Sequence, residues 1–352
     1  MAKRARISEP DESDRIEGFP HPRATSNLVG QDVALSRAAR AIRGGKPPQG
    51  WLISGPPGIG KATFAYRIAR YLLTYGARDT GAEDLSVPAN DPNALQVTAG
   101  SHPGLMVLKR GLNEKTGKLM TELSVSEVRR LAGFFGMTSG AGGWRVAIVD
   151  TADDMNTNAA NALLKLLEEP PSRAMLILLA NRPGQLLPTI RSRCQVIRLT
   201  PLDADDLLAV LQTAEPPPPD DPAARAALVE RAGGSARNAI LLTQYGGLEI
   251  AETLDALVAK GKGDIGGAYR LAEAVAGRDQ AIQFDIFNRR ALDLLSDAAS
   301  QAALAGDLAR AKTLSDTWHE ALDAISETDT YNLDKKQHAL TMIDRLNSAM
   351  RM

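Results

Sequence analysis

The chain has 352 residues, 44% hydrophobic and 24% charged, with a formal net charge of −1; this suits two or three soluble globular domains and advertises no polyanion partner in the overall balance. One cysteine, Cys194, excludes an internal disulfide framework and a multi-cysteine zinc site, and His21, His102, His319 and His338 fall in no metal-ligand spacing, so no structural metal and no zinc is expected. No apolar run approaches the roughly 20 residues of a spanning helix, and Met1-Ala2-Lys3-Arg4-Ala5-Arg6 lacks the apolar core of a secretory signal, so no membrane partner and a cytoplasmic location are expected.

Residues 1–22 are polar and without hydrophobic periodicity, and read as a loose tail. A helix is predicted near Asp32–Arg43, then an apolar strand at 51–54, the loop Gly55-Pro56-Pro57-Gly58-Ile59-Gly60-Lys61, and a helix over 61–74. Strand, Gly-rich loop and helix in that order form the Walker A frame. Glycines let backbone N–H groups curl around phosphate oxygens, the helix turns its N-terminus toward them, and Lys61 reaches the outer phosphates. The next position calls for a Ser or Thr hydroxyl on Mg²⁺, and here it is Ala62. Thr63 comes one place late, rotated by roughly 100° from the direction needed.

The Gly-, Asp-, Asn- and Pro-rich region from Tyr75 to Val97 reads as a surface excursion. A strand near 104–109 follows, with Lys109, Arg110, Lys115 and Lys118 flanking the turn-like Asn113–Gly117, which reads first as a solvated hairpin and second as a phosphate contact. After a helix near 124–135 comes the strand Arg145-Val146-Ala147-Ile148-Val149-Asp150. Asp150 is placed to help hold Mg²⁺ through its water shell, but Thr151 stands where a Glu would orient the attacking water. Positioned general bases contribute roughly 10²–10⁴ in rate. Losing one together with the metal hydroxyl leaves a nucleotide-site scaffold without turnover, unless Asp153 or Asp154 takes over the acidic role. A helix over 157–168, capped by Asn156 or Thr157 and stopped by Pro170-Pro171, buries Leu163, Leu164, Leu166 and Leu167; a strand at 174–180 follows.

Past Pro201 the pattern turns to short helices, interrupted by the stiff spacer Glu215-Pro216-Pro217-Pro218-Pro219-Asp220-Asp221. From about Gly247 the chain is Ala/Leu-rich helix. Ala291, Leu294, Leu295 and Ala298, and later Leu333, Ala339, Leu340, Ile343 and Leu346, recur at helical spacing, the mark of a bundle core. The expected organisation is a tail over 1–22, a parallel α/β sheet over 23–200, a small helical domain over 201–246 and an all-α domain over 247–352.

Asn161-Ala162-Leu163-Leu164-Lys165-Leu166-Leu167-Glu168-Glu169-Pro170-Pro171, followed by Ser192-Arg193-Cys194, resembles the clamp-loader branch of the AAA+ proteins. Joined to an incomplete ATP site, it resembles the delta-prime family of bacterial DNA polymerase III. Leu28-Val29-Gly30-Gln31, Ser101-His102-Pro103, Gly233-Gly234-Ser235-Ala236-Arg237 and Asn332-Leu333-Asp334-Lys335-Lys336 extend the likeness, the last group assigned to the final helix. The resemblance implies an AAA+ P-loop domain, a helical lid and a C-terminal collar. It also implies a ring with gamma/tau ATPase subunits and a delta subunit, acting on a sliding clamp and primed DNA. Arg193 then becomes an arginine finger reaching a neighbour's ATP, a role worth roughly 10³–10⁵ in rate; Arg191 and Arg198 are the other arginines at hand. Asn181 matches the sensor-1 position and Arg237 the sensor-2 position, both as remnants that hold domain geometry. Cys194 reads as a small buried hydrophobe. Many relatives carry a four-cysteine zinc module after the first loop helix, and Tyr75–Val97 has no cysteine. No cofactor is required on this reading, with residual ATP or ADP binding left open because the glycines and Lys61 are intact. The rival functions are an active AAA+ ATPase, with Thr63 and Asp153 or Asp154 rescuing the site, and an ATP-binding interaction module without a replication role.

Overall fold

The structure, a computed structural model, describes residues 19–111, 120, 122–136, 143–214, 217–277 and 279–351. Contacts divide the chain into two compact units, Met1–Pro217 with Gly233–Arg237, and Pro218–Ala232 with Asn238–Met352. The segment 201–246 is therefore shared between them.

The first unit is built on a five-stranded parallel sheet of β1 (Gly50–Ser54), β2 (Leu105–Leu108), β3 (Arg145–Val149), β4 (Ala174–Ala180) and β5 (Gln195–Arg198), in the order β2-β3-β4-β1-β5. Central strands of a parallel sheet are covered on both faces, which is why β1 and β4 are buried at every position and are apolar except for Gly50 and Ser54 at the ends of β1. Alternate side chains divide between two cores. Trp51, Ile53, Ile148, Ile177 and Ile197 face α1 (Asp32–Arg43) and α2 (Lys61–Tyr75), whose Ile42, Phe64, Ile68 and Leu72 are buried there. Leu52, Ala147, Val149, Leu176 and Leu178 face the other way, with Val128 and Leu131 of α4 (Val125–Gly136) and Leu163 of α5 (Thr157–Glu168). Asn156, rather than Thr157, caps α5, its side chain accepting from Ala159 N at 3.0 Å. Only Leu163 of the four leucines is fully buried; Leu164, Leu166 and Leu167 pack on the core while partly exposed.

Two elements depart from the reading of the sequence. The excursion after α2 contains α3 (Pro92–Thr98), started by Asp91, which accepts from Asn93 N at 2.9 Å and Ala94 N at 3.1 Å. The strand β5 lies beyond the last one predicted, with only Ile197 buried among its four residues, because it is an edge strand. The tail also ends earlier than expected: His21 and Arg23 are buried, and Arg70 donates to the Thr25 carbonyl at 3.1 Å and to the Arg23 carbonyl. Lys115, Lys118 and the Asn113–Gly117 turn lie outside the described residues. Arg110 pairs with Asp154 at 3.1 Å.

Short helices α6 (Pro188–Arg191) and α7 (Ala204–Leu211) complete the first unit. The second unit is all helix: α8 (Pro222–Ala232), most of α9 (Ala236–Gln244), α10 (Gly247–Lys260), α11 (Ile265–Val275), α12 (Ala281–Leu304), α13 (Leu308–Tyr331) and α14 (Lys335–Ala349). The Arg290 guanidinium forks onto Asp255 at 2.8 and 2.9 Å and ties α12 to α10. Asn332, at φ 54°, ends α13, and Asp334 caps α14 by accepting from Gln337 N at 2.9 Å. Asn332-Leu333-Asp334-Lys335-Lys336 thus spans the turn into the last helix rather than lying within it, and Leu333 is half exposed instead of in the bundle core. No helix among the described residues is long and apolar enough to cross a membrane.

Candidate functional site

Because all five strands run parallel, their C-terminal ends open on one edge of the sheet, the edge where open α/β sheets take ligands. The loop Gly55–Lys61 leaves β1 there, between the ends of β4 and β5, and Gly55 N donates to the Ala180 carbonyl at 3.2 Å. Gly55, Gly58 and Gly60 hold φ of 153°, 78° and 98°, the region open to glycine. Gly60 carries the chain into α2, whose first intrahelical bond runs from Phe64 N to the Gly60 carbonyl at 2.9 Å. The backbone N–H groups ahead of it lie at a helix N-terminus, the geometry that suits an anion.

Lys61 is 6% exposed. Its ammonium donates to the carbonyls of Gly55 at 2.7 Å and Pro56 at 2.6 Å. Burial pushes its pKa down to about 8, against the opposing pull of the Asp150 and Asp153 carboxylates. The Asp150 carboxylate thus lies near enough to act on the Lys61 charge.

Ala62 packs its methyl group against the core between α2 and the sheet. Thr151 donates its hydroxyl to Asp154 at 2.8 Å, and Asp154 also takes Arg110. Asp153 accepts from the backbone N–H groups of Asn181 at 2.5 Å and Arg182 at 3.1 Å, so it stitches the end of β4 to the turn after β3. The donor set suits phosphate, through Lys61 and the loop backbone, and does not suit a metal at position 62, where an alkyl group stands. Among the described residues, no three His, Cys, Asp or Glu side chains come together as a metal site.

Sequence reasoning missed what covers the loop. Ser235 donates its hydroxyl to the Pro57 carbonyl at 3.0 Å, and Arg237 N donates to the Gly58 carbonyl at 3.3 Å. A Cβ on Gly58 would sit 2.6 Å from Arg237 Cβ and collide with Ser235 Oγ. The backbone of Arg237 thus packs on the Gly-rich loop itself. The run Gly233-Gly234-Ser235-Ala236-Arg237 was the available signal, though the pattern alone says nothing of what it touches.

Ser192-Arg193-Cys194 lies on the turn between α6 and β5, away from the loop lysine in sequence but on the same unit. The Arg193 guanidinium is an exposed group that pairs with Glu168 at 2.9 Å and donates to the Thr189 carbonyl at 3.2 Å. This is the surface ion pair that the residue types also allowed, and a pair at that exposure contributes about 1 kcal/mol or less. Arg191 and Arg198 are exposed as well. Cys194 turns inward, packs on the second core, and its thiol is pushed up to about 12 by burial, which makes it inert.

The family described as "DNA polymerase III, delta subunit" matches residues 30–203, the segment that carries both halves of the nucleotide site and Arg193. DNA polymerase III subunit delta' of Pseudomonas aeruginosa is 41% identical over 145 residues, covering 41% of this chain and 40% of that one. The Bacillus subtilis subunit delta' is 33% identical over 153 residues, 43% of this chain and 42% of that one. DNA polymerase III subunit tau of Salmonella typhimurium is 26% identical over 290 residues, 80% of this chain and 41% of that one. The chain spans about two fifths of the length of these relatives. Residues 30–203, just under half of the chain, therefore match the DNA polymerase III delta-subunit family and are similar to delta' subunits.

Proposed function

We propose that this chain is a clamp-loader subunit that does not turn over nucleotide itself. It joins gamma/tau ATPase subunits and a delta subunit in a hetero-oligomeric ring through its C-terminal helices, and lends Arg193 to a neighbour's ATP site while the ring places a sliding clamp on primed DNA. Its place of work is the cytoplasm, at the replisome. The observation that carries this reading is Ala62: where a magnesium-ligating hydroxyl would stand, a partly buried methyl group packs against the core. Thr151, in the place of the base, spends its hydroxyl on Asp154. The loop and Lys61 keep their form, so ATP or ADP binding without hydrolysis is part of the proposal.

The reading is supported by an exposed Arg193 held on the P-loop unit by a weak ion pair with Glu168 and a hydrogen bond to the Thr189 carbonyl. A guanidinium is permanently charged and forked, suited to a γ-phosphate and to the charge that develops on it in the transition state. The test is steady-state ATP hydrolysis by the purified chain with Mg²⁺, with Lys61→Ala as the control for contaminants. Turnover equal to the control is expected. Turnover abolished by Lys61→Ala would make the chain a motor and overturn the proposal.

A further inference from the structure

Within the segment that runs from Leu163 to Pro171, Leu163 is buried, Leu164, Leu166 and Leu167 pack on the core while partly exposed, and the prolines stop the helix; Glu168 belongs to neither task. It is the last residue of α5, is exposed, and is 2.9 Å from the Arg193 guanidinium. We infer that Glu168 is a positioning residue for Arg193: with the Thr189 carbonyl it holds the guanidinium in one orientation, so that its remaining N–H donors face outward together. This rests on the reading of Arg193 as a group that acts on a neighbour's phosphate.

Two facts support it. Glu168 and Arg193 stand on elements that are fixed to each other by a close approach at the start of β1. A Cβ on Gly50 would lie 2.7 Å from Leu167 Cδ2, 3.1 Å from the Arg193 carbonyl oxygen and 3.4 Å from Cys194 Sγ. The neighbours of both charged residues are thus packed against one glycine, and the distance between α5 and the Arg193 turn is set by the core. The second fact is the division of donors. Arg193 gives Nη2 to Glu168 and Nη1 to the Thr189 carbonyl. An arginine has five N–H donors, so Nε–H and one hydrogen on each terminal nitrogen are left for an anion. A free arginine side chain carries about 2 kcal/mol of rotamer entropy, and an arginine already tethered at two nitrogens has less of it to lose when it meets a phosphate. Glu169 is not equivalent: it follows the helix end and its N–H donates to the Lys165 carbonyl at 3.1 Å.

The experiment uses the full chain assembled with the ATPase subunits of its own organism, and measures steady-state ATP hydrolysis by the assembly. Arg193→Ala, Glu168→Ala, Glu168→Gln and the Arg193→Ala/Glu168→Ala double variant are compared. Glu168→Ala is expected to lower kcat by roughly two- to five-fold, the worth of an exposed pair, with KM for ATP, assembly and the urea midpoint of the chain unchanged. Glu168→Gln, which keeps an acceptor and loses the charge, should fall between. In the Arg193→Ala background Glu168→Ala should do nothing further, and its effect in the otherwise native chain should shrink in 0.5 M salt, where exposed pairs are screened. No effect of Arg193→Ala would sink the reading of Arg193 and this inference with it. A normal loss with Arg193→Ala, beside an unchanged or raised kcat with Glu168→Ala, would overturn the role of Glu168 alone. So would a Glu168→Ala loss that persists in the Arg193→Ala background, since it would then act through something other than the guanidinium.

Discussion

At the scale of single residues, the loop shows how one substitution separates a frame from its chemistry. Gly58 illustrates the frame. It needs a φ of 78° and has Ser235 and Arg237 against its Cα, whereas Gly45 has a similar φ of 80° with nothing near. Both glycines should resist replacement, for different totals. Gly45→Ala is expected to cost about 1 kcal/mol for the left-handed backbone, and Gly58→Ala about 1–3 kcal/mol more, for the collision with the covering segment. Urea midpoints of the two variants measure the difference, and equal costs would mean that the loop yields freely. Ala62 illustrates the chemistry. Its methyl, in the first turn of α2, packs partly buried against the core and offers a metal no ligand. Ala62→Ser alone is expected to leave turnover at background, because Thr151 still offers no carboxylate; the hydrolysis assay with the Lys61→Ala control checks it.

At the scale of elements, local signals and packing agree for α5. Asn156 takes the Ala159 N–H at 3.0 Å, one of the donors that a helix leaves unpaired in its first turn. Asn156→Ala should destabilise the chain by about 1 kcal/mol, read as a lower urea midpoint, while Asn156→Asp should keep most of the stability. A neutral Asn156→Ala would mean that α5 is held by its buried face alone. Elements that the sequence hid are those with little buried surface. In β5 only Ile197 is buried and Val196 is 38% exposed, so neither the alternation nor the continuous run of a strand is written in the residues. In α3, a seven-residue helix, the cap at Asp91 and Pro92 were the legible signals, outweighed by the Gly, Asp and Asn around them.

At the scale of the whole molecule, the helical unit contains a polar junction that gives the chain a pH dependence. His338 of α14 lies between Thr328 of α13 at 2.9 Å and Asn288 of α12 at 2.9 Å, with Phe284 edge-on at 5.2 Å. Burial, with Arg345 adding to it, lowers its pKa to about 4 from the 6.5 of a free imidazole. The sign follows from proton counts. Between pH 6.5 and 4 the unfolded chain binds a proton at His338 that the folded chain refuses, so the contribution is fully present above 6.5 and is lost as pH falls toward 4. The chain should therefore have a lower urea midpoint at pH 5 than at pH 7, and His338→Gln, which keeps hydrogen-bonding groups and does not titrate, should show a smaller drop. Equal drops in the two proteins would place the acid sensitivity elsewhere. Core burial also fixes how the bundle is tied, since Arg290 and Asp255 connect α12 and α10 by a paired fork whose partners are distant in sequence.

Residue identities by themselves determined the frame and its defects. A Gly-rich loop between an apolar strand and a helix, alanine after the lysine, and threonine after Asp150 are statements about which atoms each position can offer, and they need no neighbours. The buried strands were equally legible, because a strand covered on both faces must be largely apolar. Only the tertiary structure decided what those positions touch. It set Ser235 and Arg237 on the loop, turned Asp153 to the backbone after β4, and brought Glu168 to Arg193. Each of these pairs joins segments far apart in sequence, and exposed or backbone-mediated contacts leave no periodic trace in composition. Packing α5 and the Arg193 turn against Gly50 made the Glu168–Arg193 distance a property of the fold.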